Sequence, residues 1–87
     1  MTYMQAIELI GNGNRPTKAA MQLFRVKKWT WAVMLRNYAW NMLTYHNYPD
    51  AIVPTEQATG SYQDISMSIY SHMPKNVQVV ARELRKA

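Results

Sequence analysis

The 87-residue chain predicts an all-α fold, a small bundle of four or five helices arranged around one long central helix. Three observations carry this expectation. From Lys27 to about Tyr45 there is neither glycine nor proline, and apolar residues recur too densely for a loop. The segments before and after it repeat their apolar residues every three or four positions, as a helix with one buried face requires. Finally, 48% of the residues are hydrophobic and 17% charged, enough apolar material to fold around one modest core and too little charge to stay disordered. Residues 1–87 are read as one domain, with a first part over 5–45, a loop over 46–64 and a C-terminal helical part over 65–87.

In the first element, Met4, Ile7 and Ile10 lie at helical spacing, and the glycines and asparagines of "GNGN" at 11–14 end it. "RPTKAAMQLF" starts the second, with Pro16 at a first helical position and Ala19, Ala20, Leu23 and Phe24 as its apolar stripe. The third and longest element covers 27–45. Its apolar residues surround most of the circumference and leave a polar stripe of Thr30, Asn37, Asn41 and Thr44. Such a helix is buried on more than one side, as a central helix wrapped by the others or as a helix shared across a dimer interface. Trp31 and Trp40 read as core residues, whereas Trp29 suits either a core or a stacking platform.

Two prolines, a glycine and several other turn formers make 46–64 an ordered loop, with one short turn after Thr55. "ISMSIYSHM" fits a strand by alternation and a helix by Ile65, Ile69 and Met73; the helix, capped by Asp64, is preferred because a lone strand has no partner. The last helix places Val77, Val80, Ala81 and Leu84 on one face and basic residues at its end.

Charge is distributed unevenly. No acidic residue falls between Glu8 and Asp50, while Arg15, Lys18, Arg25, Lys27, Lys28 and Arg36 lie in that span; from Asp50 onward, four acids balance four bases. A basic half within a chain of net charge +5 points to a polyanionic partner, nucleic acid ahead of an anionic membrane surface, since neutralising phosphates releases counterions. The alternative is a solvated basic face with no partner.

In this basic half, Ala19, Ala20, Leu23, Phe24 and Val26 precede a long helix. The run "AIELIGNGNRPTKAAMQLFRVKKWTWAVMLRNY" resembles the helix-turn-helix units of small phage regulators, excisionases, transposases and recombinases. Their pattern has two alanines, two variable residues, leucine, often phenylalanine, then glycine and valine. Arg25 stands where that pattern has a glycine in a left-handed turn, and the alanine pair lies one residue further from Val26 than is common. The resemblance covers the first half of the chain. It implies a non-enzymatic, sequence-specific regulator of transcription that binds double-stranded DNA as a homodimer and is phage or mobile-element derived.

By carry-over from that resemblance, Lys27, Lys28, Trp29, Ala32, Val33 and Arg36 face the groove. Lys18, Arg25, Lys27 and Lys28 are the phosphate contacts, and Arg36 is a bidentate guanine reader. The DNA-binding set is thus Lys18, Arg25, Lys27, Lys28, Trp29 and Arg36.

Other chemistries find little support. His46 and His72 have no second histidine or cysteine at ligand spacing, the carboxylates are dispersed, and no serine lies in a nucleophile-elbow context. No catalytic residue, metal or cofactor is expected. Absent cysteine excludes disulfides and thiolate chemistry and fits a cytoplasmic protein. The N-terminus lacks a signal-peptide pattern, and no run is apolar and long enough to span a membrane. Seven methionines, three tryptophans and six tyrosines favour adaptable contact surfaces. These suit homodimerisation, or a second class of function in which a small phage-type protein binds and inhibits or adapts a host protein complex without touching DNA.

Overall fold

The computed structural model describes residues 1–11, 13, 15–54 and 59–84. Among these, five helices and one two-stranded hairpin follow in the order α1 (Tyr3–Ile10), α2 (Lys18–Leu23), α3 (Trp29–Asn47), β1 (Ile52–Pro54), β2 (Thr59–Ser61), α4 (Tyr62–Ser71) and α5 (Lys75–Glu83).

Local chemistry sets most of these boundaries. A capping box opens α1: Thr2 Oγ1 accepts from the Gln5 N–H at 3.1 Å and Gln5 Oε1 from the Thr2 N–H at 2.9 Å. Gly11 then closes the helix at φ 83°, a conformation that an L side chain rarely adopts. In α2 the cap is Thr17, whose Oγ1 accepts from the Ala20 N–H. Pro16 therefore lies one residue before the cap rather than at the first helical position, and its ring is buried. The cap of α4 is Ser61 and not Asp64; Asp64 occupies the third helical position and completes a capping box with Ser61. Both oxygens thus satisfy N–H groups at the same helix start.

The segment 46–64, expected as a loop, holds the hairpin. β1 and β2 pair antiparallel with Val53 opposite Gly60. A sequence of short, weakly apolar strands gives too little alternation to announce itself. The turn expected after Thr55 lies outside the described residues.

α3 is the axis of the molecule and packs against α1, α2, α4 and α5. Its buried positions are Ala32, Leu35, Tyr38, Ala39 and Met42. They meet Tyr3, Ala6 and Ile10 from α1, Phe24 and Val26 from the exit of α2, and Val77, Val80, Ala81 and Leu84 from the C-terminal segment. Fully buried alanines at 6, 32, 39 and 81 leave no bulk between neighbouring helices, so their backbones approach closely. The buried side of α3 is thus covered by other helices of the same chain.

Two apolar assignments change. Trp40 is 56% exposed and lies outside the core, whereas Trp31 is half-buried and packs against it. In α2 the inward residue is Ala20, joined by Phe24, while Ala19 and Leu23 face solvent. An all-round apolar helix has no periodic signal for its inward direction; packing decides it. No helix among the described residues is long and apolar enough to cross a membrane.

Candidate nucleic-acid interface

Between α2 and α3 the chain turns within five residues, and the turn is built by backbone bonds. The Val26 N–H donates to Met21 O at 2.9 Å and the Arg25 N–H to Gln22 O at 3.1 Å. Together these are the paired bonds of a Schellman ending, and they require the intervening residue to be left-handed. Arg25 is that residue, at φ 59°, and is the single non-glycine residue with positive φ among those described. Val26 buries its side chain in the core, and half-buried Met21 packs against the same core.

The turn delivers α3 with an unusual start. Lys28 occupies the N-cap without a side-chain bond, and no acidic residue lies in the first turn. The Trp29 and Thr30 N–H groups have no acceptor among the described residues. Lys27 and Lys28 therefore sit beside the positive end of a 19-residue helix dipole, where cations are unfavourable and an anion is favoured. Arg15 stacks on Trp29 with its guanidinium carbon 5.2 Å from the ring centroid. That contact joins the segment before α2 to the first residue of α3. Lys18, Lys27 and Lys28 are exposed, and none has a carboxylate partner among the described residues.

The remaining site residues are placed differently. Arg25 is exposed but its Nη2 donates to both carboxylate oxygens of Glu83, at 3.1 and 3.0 Å. Arg36 is half-buried, and its Nη1 donates to Gly11 O at 2.7 Å and Gly13 O at 2.8 Å. The guanidinium that resemblance offers as a guanine reader thus ties the α1–α2 loop to α3. Trp29 is 39% exposed, neither a core residue nor a free platform, because Arg15 covers its ring.

Ala32 is fully buried, so the groove-facing set read by resemblance needs correction. The outward stripe of α3 runs opposite Leu35 and Ala39, through Thr30, half-buried Val33, Asn37 and Trp40. Thr30 and Asn37 are exposed on this stripe, whereas Ala32 is buried and Arg36 half-buried. The two alanines seven residues apart were the available signal: small residues at that interval mark the side where another helix approaches, and the solvent side lies opposite. Beside this stripe, Ile7, Arg36, Asn37 and Trp40 line a shallow groove between α1 and α3.

No family model matches the chain, and no curated protein or solved structure matches it.

Proposed function

We propose that the protein is a non-enzymatic, sequence-specific regulator that binds double-stranded DNA through α2, the 24–28 turn and α3, used as a helix-turn-helix. The observation that carries the reading is the left-handed Arg25 in a Schellman ending, at the position where the helix-turn-helix pattern has its glycine. A side chain is forced into that conformation at a cost of about 1–2 kcal/mol, which argues that the turn geometry matters more than the residue. The turn presents a helix start without a side-chain cap, flanked by Lys27 and Lys28, with the exposed Lys18 opening α2, and this supports phosphate contacts there. Arg25 and Arg36 contribute less to phosphate binding than their charge suggests, since each is already engaged.

Binding to random duplex DNA, followed by fluorescence anisotropy at low and moderate salt, tests this. Micromolar affinity that falls steeply with salt is expected, and Lys27→Ala with Lys28→Ala should weaken binding to all sequences and lower the salt slope by about 2. Unchanged affinity in that double variant, with the fold intact, would remove the site assignment.

One observation favours the second reading, a protein that binds a host complex without DNA. Met1, Met4 and Leu9 are 47%, 46% and 49% exposed on and beside the outer face of α1. Exposed methionines and leucine at and beside α1 suit an adaptable protein contact. The same face would also serve a homodimer, which a reader of two half-sites requires.

A further inference from the structure

The outer half of α3 carries several polar side chains, but most are already used within the protein. Asn41 Nδ2 donates to Asn37 O at 2.7 Å, and Thr44 Oγ1 donates to Trp40 O at 2.8 Å. Arg36 is held by the Gly11 and Gly13 carbonyls. Thr30 and Asn37 remain exposed, and neither side chain has a hydrogen-bond partner among the described residues. Along the helix they stand about 10.5 Å apart, at ~1.5 Å per residue, within the ~12 Å width of a B-DNA major groove. Half-buried Val33 lies between them on the same stripe. Trp40, about 15 Å from Thr30, would lie beyond the groove floor at the sugar–phosphate rim.

From this we infer that Asn37 is the base-reading residue of the site and that it selects adenine, with Val33 one turn earlier against a thymine methyl. The inference rests on the DNA-binding reading given above. A carboxamide offers one donor and one acceptor side by side. Adenine presents the complementary pair at N7 and N6 in the major groove, whereas guanine presents two acceptors and would face the carboxamide oxygen with a lone pair. Cytosine and thymine each offer a single hydrogen-bonding group there and satisfy only half of it. Thr30 bonds to either kind of base edge and so adds little discrimination.

Selection from a randomised duplex library, run in parallel on the wild type and Asn37→Ala, tests the assignment, with random-duplex anisotropy measured on both proteins. The Asn41 bond is to the Asn37 backbone carbonyl and survives the substitution, and alanine favours a helix interior, so the variant is expected to melt no lower than the wild type. The wild type should enrich a motif with an invariant adenine. Asn37→Ala should lose that preference, with affinity for the selected site falling on the order of ten- to a hundredfold while random-duplex affinity and salt slope stay unchanged. Asn37→Gln, which keeps the carboxamide, should retain adenine preference. A wild-type motif without a preferred adenine, or one that Asn37→Ala selects equally well, overturns the assignment while leaving the DNA-binding reading standing. Absence of random-duplex binding at low salt overturns both.

Discussion

Arg25 shows how one residue can be set against its own backbone. Its left-handed φ of 59° is disfavoured by about 1–2 kcal/mol for a residue with a Cβ. Its compensating contact is the ion pair with Glu83, but the two side chains are 64% and 57% exposed, so solvent screening leaves that pair less than about 1 kcal/mol. The backbone term is the larger. Arg25→Gly should therefore raise the melting temperature by several degrees despite losing the pair, and Arg25→Val should lower it, because a β-branched side chain suits this conformation least. Thermal unfolding of both variants checks the sign; a less stable glycine variant would mean that the Glu83 contact outweighs the strain. Arg36 makes the opposite case, since its charged bonds to two carbonyls relieve strain nowhere but anchor a loop. Arg36→Ala should cost about 1–2 kcal/mol, with faster hydrogen exchange in the residues around Gly11 and Gly13.

At the scale of elements, α3 divides its circumference between residues that hold the fold and residues that face solvent. Leu35 is fully buried, so Leu35→Ala should destabilise by about 2–5 kcal/mol, whereas Trp40→Ala should cost less than about 1 kcal/mol. Chemical denaturation of the two variants distinguishes them, and equal losses would return Trp40 to the core. This division was only partly legible in the sequence. The face of α5 could be read in full, because Val77, Val80, Ala81 and Leu84 recur at helical spacing, and all four are buried while Val79 is exposed. The extent of α3 was readable to within two residues from its lack of glycine and proline. Its orientation was not, because tryptophans and methionines surround it and only contact with α1 and α4 fixes which of them turn inward. The hairpin was hidden for another reason: strands of three residues are held by pairing with each other, a property that no single segment displays. The candidate site inherits these limits. Lysines at the start of α3 were visible by charge alone, while Asn37 emerged once Arg36 and Asn41 proved to be engaged elsewhere.

Over the whole molecule, charge is uneven along the chain: six bases and no acid lie between Glu8 and Asp50, while four of the five acids lie from Asp50 onward. Asp50 lies just before the hairpin and Asp64 just after it begins α4, and no lysine or arginine falls between residues 37 and 74. A polyanion approaching the hairpin side is therefore repelled while the α2–α3 turn attracts it, which orients the encounter before any contact forms. Substituting Asp64→Asn should raise the association rate with duplex DNA at low salt only modestly, and far less than Lys28→Ala lowers it; stopped-flow measurements at two ionic strengths compare them.

The outward stripe of α3 has an implication for how readily this surface can change. Thr30, Asn37 and Trp40 touch solvent, while the positions that interlock with the other helices are Ala32, Leu35, Tyr38, Ala39 and Met42. The two sets share one rod but no residues. A lineage, or a laboratory library randomised at 30, 37 and 40, can thus explore new surfaces without revisiting the packing problem, so most of its members should inherit a working scaffold and differ chiefly in the surface they present.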